Sequence, residues 1–155
     1  MSKDLIVAEH LGGKLNASTA KCVSAAKALN PESIDIIVLA ADPASVAAEA
    51  AQIAGVSKVL TIASAANANA IAHILAPQIA KVANGYSHVF GHSTTLGKDL
   101  MPCVAALLGV SQVSDIMAVD GSHIFKRPIY AGNAIITVKA AADRTVVATV
   151  RAASW

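Results

Sequence analysis

The chain has 155 residues and a formal net charge of +2, and 3% of its residues are aromatic. Its lysines and arginines are scattered. It therefore carries neither the basic footprint that binds DNA or an anionic membrane surface nor the aromatic platforms on which single-stranded nucleic acid stacks. The length suits one domain, residues 1–155, large enough to bury a core without staples. Hydrophobic residues make up 55% of the chain, much of that as alanine, which favours close packing of helices on a sheet.

In chain order, "DLIVAE" predicts a buried strand ending near Glu9. "HLGGKLNAS" reads as a loop, with Ser18 placed to cap a helix over 19–29 that Asn30-Pro31 breaks. "IDIIVLA" is a second strand. Asp42-Pro43 supplies a cap and a proline-first helix running to about Ala54, closed by Gly55. "SKVLTIA" is a third strand, and a helix from Asn67 or Asn69, bent at Pro77, ends at Asn84-Gly85. The uncharged run 59–80 is long enough to span a bilayer, but Asn67, Asn69, His73, Pro77 and Gln78 lie within it and exclude that reading.

"YSHVFG" is a fourth strand, and the polar "HSTTLGKDL" leads into a further helix. An Asp99 cap would place Pro102 in the first turn, where its missing N–H costs nothing, whereas a helix starting nearer Thr95 would have to kink. The period changes after Gly109, where "SQVSDIMAVD", "HIFKRPIY", "NAIITVKA" and "RTVVATVR" read as strands. The expected fold is a three-layer α/β arrangement, a mostly parallel sheet with helices on both faces and an antiparallel C-terminal extension.

Catalytic signatures are missing. There is no GxGxxG after a strand, no phosphate-binding GxxxxGK, no GxSxG, no HExxH and no obvious carboxylate pair. Cys22 and Cys103 lack metal-ligand spacing and read as buried small hydrophobes, in keeping with a reducing compartment. The chain enters its first strand directly, with no signal peptide expected. In an open parallel sheet ligands collect beyond the carboxyl ends of strands. The best such end is Gly91, His92, Ser93, Thr94 and Thr95, a candidate nucleotide pocket whose hydroxyls can equally serve as helix caps.

The stretch "RPIYAGNAIITV" resembles a motif in the N-terminal domain of the alpha subunit of electron-transferring flavoproteins. "LIVAEH", "AAEAAQIAGVSKVL", "YSHVFGHSTTLGKDLMPCVAALLGVSQVSDI" and "VATVRAASW" resemble co-linear parts of the same domain, so the likeness covers nearly the whole chain. The resemblance implies an adenine-nucleotide-hydrolase-like fold in an alpha/beta heterodimer that carries electrons from dehydrogenases through FAD. It implies a beta subunit as partner, an electron carrier and not an enzyme, and a cytoplasmic location, or the mitochondrial matrix in a eukaryote.

That family's FAD-binding second domain has no counterpart here. The resemblance therefore implies either a truncated form, the favoured reading, or a free-standing relative, and FAD is expected in the complete protein but not on this chain alone. Arg127, Tyr130, Gly132 and Asn133 are read as a domain or subunit interface, with no catalytic residue and no metal. The alternatives are a stand-alone adenine-nucleotide-binding module and a ligand-free assembly module.

Overall fold

The structure is a computed structural model and describes residues 2–155. Its main sheet is built from the apolar runs. In chain order these are β1 (Lys3–Val7), then a short hairpin of β2 (His10–Leu11) and β3 (Lys14–Leu15), α1 (Thr19–Lys27), β4 (Ser33–Ala40), α2 (Ala44–Ala50), β5 (Lys58–Ala63), α3 (Ala72–Ala83), β6 (His88–His92) and α4 (Thr95–Leu108). There follow β7 (Gln112–Ile116), β8 (Ala118–Gly121), β9 (Ile124–Ile129), β10 (Ala134–Lys139) and β11 (Val146–Val150). The six-stranded sheet runs in the order β5-β4-β1-β6-β11-β7, and every pairing in it is parallel.

Both faces of that sheet are covered, as an all-parallel sheet requires. Ile6, Ile36 and Phe90 pack on one face with Cys22, Val23 and Ala26 of α1 and Val46 of α2. Leu5, Ile37 and Val89 pack on the other with Leu75, Ala76 and Ile79 of α3 and Leu100, Met101 and Val104 of α4. The 3–4 spacing of those helical residues is the apolar stripe that the sequence carries.

The α/β class and the C-terminal antiparallel portion are as read, but the strands are shared out differently. β7, the first half of "SQVSDIMAVD", pairs in parallel in the main sheet, and β11 does not extend the antiparallel part either. It enters the main sheet between β6 and β7, its five residues all buried. β8, β9 and β10 form a sheet of their own, ordered β10-β9-β8, which covers the first face through Phe125, fully buried in the same cluster as Phe90. "VVATV" states that it is buried, not which strands flank it.

Local signals were outcompeted in several places. Ser18 makes no cap bond; its hydroxyl joins Asn16 and His92 instead. The helix after Pro43 stops at Ala50, with turns filling the stretch to Gly55. Asn67 does not start α3 but is buried and bonded to Gln78 and the Ile62 carbonyl. Thr94, not Asp99, caps α4, accepting the Gly97 N–H at 3.1 Å, so Pro102 lies inside the helix. Pro77 and Pro102 are tolerated because each sits on the exposed side, as do His73 and Lys98 four residues earlier, whose carbonyls lose their helical donors. Of the cysteines, Cys22 is buried and Cys103 faces solvent on α4.

Candidate functional site

The order of the main sheet reverses at β1, whose neighbours β4 and β6 lie on opposite sides, and the polar ends of β1 and β6 meet there. Glu9 Oε2 accepts the Thr94 hydroxyl at 2.5 Å. His92, buried, lies 2.6 Å from Ser18 Oγ through Nδ1 and 3.4 Å from Thr19 Oγ1 through Nε2. Ser18 in turn donates to Asn16 Oδ1 at 2.8 Å, which makes His92 Nδ1–H the donor to Ser18 and Nε2 the acceptor. Burial pushes His92 below its ordinary value, against the pull of Glu9, so the ring is neutral near neutral pH. Ser93 Oγ donates to Thr149 Oγ1 at 3.2 Å, and Thr95 is exposed.

The polar groups at this strand end are thus engaged with one another, and the two glycines beside them are filled from within. A Cβ on Gly91 would meet the Met101 side chain at 2.5 Å, and one on Gly97 would meet the His92 carbonyl oxygen at 1.8 Å. The crevice left between them holds about 10 Å³, room for one water at most. A neighbouring cleft over Glu9, His10, Asn67 and Asn69 holds about 160 Å³, short of the roughly 300 Å³ at which ligand pockets begin. Gly91, His92, Ser93, Thr94 and Thr95 are brought together, but around packed side chains and not around a nucleotide-sized space. Burial also pushes the Cys22 thiol up to about 12, with Glu9 adding to the effect, which leaves it un-ionised and unreactive. Among the described residues no cluster of His, Cys, Asp or Glu could hold a metal ion.

The second candidate lies on the β9–β10 hairpin. Arg127 Nε donates to the Ser114 carbonyl at 2.6 Å, tying β9 to the middle of β7. The turn beyond it is strained. Tyr130, Ala131 and Gly132 are consecutively left-handed, with φ of +50°, +55° and +91°. Each non-glycine residue there costs about 1–2 kcal/mol. Asn133, read as either left-handed or backbone-bonding, takes the second course: φ is −74° and Nδ2 donates to the Tyr130 carbonyl at 2.8 Å. The turn holds Tyr130 79% exposed, near Ile135 at 58%. Such strain persists only where the surroundings over-determine it, and it gathers at functional sites.

Gly132 has open space where a Cβ would go, so Gly132→Val is opposed by backbone geometry alone. It is expected to destabilise the fold by about 1–3 kcal/mol. A thermal melt superimposable on the wild type would refute the left-handed assignment.

Two further arrangements escaped sequence reasoning. Asp115 is left-handed at +58°; its N–H donates to Thr149 Oγ1 at 2.8 Å and its carboxylate accepts from Arg151 at 3.2 Å. Asp4, fully buried at the start of β1, pairs with His88 of β6 at 2.9 Å. The only signal for the second was an aspartate leading an otherwise apolar run.

Residues 4–155 match the model of the electron transfer flavoprotein domain family. The chain is 46% identical over 143 residues to the electron transfer flavoprotein subunit alpha of Pseudomonas aeruginosa, covering 92% of this chain and 46% of that protein. It is 45% identical over 154 residues to the corresponding subunit of Paracoccus denitrificans, covering 97% and 48%. It is 35% identical over 158 residues to the mitochondrial alpha subunit of Dictyostelium discoideum, covering 97% and 44%. The chain spans about half the length of the curated relatives it matches.

Proposed function

The chain belongs to the electron transfer flavoprotein family, and from that premise we propose that residues 1–155 form one domain, the N-terminal scaffold of an alpha subunit. In the complete protein this scaffold pairs with a beta subunit and supports a carrier that takes electrons from dehydrogenases and passes them on through FAD. The domain contributes structure and contact surface and no catalytic group. The complete protein works in the cytoplasm of a bacterium, or in the mitochondrial matrix of a eukaryote. Among the described residues no helix is long and apolar enough to cross a membrane.

The observation that carries the scaffold role is the hairpin tip, where three left-handed residues hold the exposed ring of Tyr130 away from the body. We place the contact with the rest of the flavoprotein at Arg127, Tyr130, Gly132 and Asn133. An exposed aromatic on a rigid turn loses little freedom when it is buried by a partner.

The strand end at the β1–β6 switch does not fit a flavin dinucleotide. The crevice at the β1–β6 switch holds about 10 Å³. Gly12 and Gly13, the one glycine pair near a strand end, form the tight turn between β2 and β3 and open no helix that could receive a pyrophosphate. This supports placing the flavin of the complete protein on residues outside those of this chain.

The test is to mix the purified chain with a flavoprotein beta subunit and follow gel filtration at the protein and flavin absorption bands. A complex without flavin colour on the isolated chain is expected, weakened about tenfold or more by Tyr130→Asp. Flavin at near one per chain, or no association at micromolar concentration, would overturn the reading.

A further inference from the structure

His88 opens β6 beside Asp4 of β1, its register partner, and both side chains are almost wholly shielded from solvent. Its two ring nitrogens reach two separate parts of the molecule. Nδ1 lies 2.9 Å from Asp4 Oδ1, and Nε2 lies 2.6 Å from the carbonyl of Ser122, in the turn between β8 and β9. A carbonyl only accepts, so Nε2 carries a hydrogen. A bare Nδ1 facing a bare carboxylate would set lone pair against lone pair, so a second proton lies between Nδ1 and Oδ1. Asp4 Oδ2 has no partner among the described residues, which leaves His88 as the sole polar contact of that buried carboxylate side chain.

We propose that His88 is a proton-dependent latch, which joins the small antiparallel sheet to the main parallel sheet while it is doubly protonated and releases Ser122 when one proton leaves. Neutral imidazole has a single N–H and cannot serve both acceptors. The charged acceptor makes the stronger bond, so the remaining hydrogen stays with Asp4 and Nε2 turns a lone pair towards the Ser122 carbonyl.

The other groups facing His88 do not replace the lost donor. His123, from the same turn, has its ring centroid 5.9 Å away and its Nδ1 engaged with Ser122 Oγ. Asp143, Arg144 and Thr145, ahead of β11, line with Ser2, Tyr86 and Ser87 the open cleft of about 380 Å³ beside the ring. Arg144 is bonded to the Gly109 carbonyl. On the ring's own strand Phe90 stacks at 5.8 Å.

Burial pushes the His88 ring down, but the bonds to Asp4 and Ser122 outweigh it and hold it above its ordinary value of 6.5. A raised value means that the stabilisation is complete below 6.5 and is lost as pH rises through the folded-state value, so the latch opens on the alkaline side. Phe125 in the core and Arg127 on Ser114 still hold the sheet, and the opening is confined to the turn. The inference concerns how this sheet is held and does not depend on what the hairpin tip meets.

The test is hydrogen exchange on the whole chain from about pH 6 to about pH 9, corrected for intrinsic rates. In the wild type, protection at residues 121–125 and at Ala140, whose N–H donates to the His123 carbonyl at 2.8 Å, is expected to fall about tenfold or more while β4 is unchanged. Asp4→Asn should abolish that pH dependence. The asparagine amide donates to Nδ1 of a neutral ring, and Nε2–H stays on Ser122. Unchanged protection in the wild type, or an identical loss in Asp4→Asn, would overturn the latch. Should Asp4→Asn not fold, ¹⁵N spectra of the wild-type ring decide. Two N–H groups at low pH and one at high pH support the latch, and a single N–H throughout refutes it.

Discussion

Gly97→Ala is expected to lower the melting temperature by about 10 °C. The first turn of α4 lies against the end of β6 so closely that a Cβ at position 97 would stand 1.8 Å from the His92 carbonyl oxygen and 2.8 Å from its carbon. That obstacle is main chain in a buried strand, which no rotamer change relieves. Either α4 lifts, exposing Leu100, Met101 and Val104, or β6 shifts and breaks its pairing with β1 and β11. Overpacking of this kind costs about 3 kcal/mol at the upper end of its usual range, which in a domain of this size corresponds to about 2–4 °C per kcal/mol. Gly85→Ala is the control: nothing lies within 4 Å of its added carbon and its φ is not positive, so its melt should match the wild type. A Gly97→Ala melt within a degree or two of that control would show that the helix does not sit so close to the strand.

Phe125→Ala is expected to cost about 3–5 kcal/mol, the usual range for emptying a fully buried phenylalanine site. Phe125 is 0% exposed and is the small sheet's largest contribution to the core that α1 and the main sheet share. Unlike Gly97→Ala, the change should act on β8, β9 and β10 before the rest. Exchange protection in β9 should collapse at denaturant concentrations where β4 is still protected. A loss under about 1 kcal/mol in chemical denaturation, or uniform loosening, would mean that the small sheet is not anchored through this ring.

The two substitutions differ in how readable their positions were. Phe125 stands in an apolar strand pattern and announces its burial. Gly97 stands in a polar run, "STTLGKDL", that reads as a loop; the need for glycine comes from His92, which reaches it only through the packing of α4 on β6.

What the sequence determined by itself rests on forces acting over a few residues. The apolar runs of β1, β4, β5 and β6, the stripes on α3 and α4, and the change of period after Gly109 follow from side-chain alternation and turn chemistry. The family likeness came from the same linear order of motifs. Tertiary structure alone decided the rest. It seated β11 between β6 and β7, because a strand buried on both faces is satisfied by any two parallel neighbours and only the closing of the sheet selects them. It drew Ser18 from capping α1 to bonding His92, 74 residues away, and His88 to Asp4, 84 residues away. It twisted Tyr130 and Ala131 into left-handed geometry that neither residue favours. For β11, Ser18 and His88 a partner distant along the chain outweighed the local preference, because a buried polar group left unpaired, or a strand left without neighbours, costs more than a lost cap.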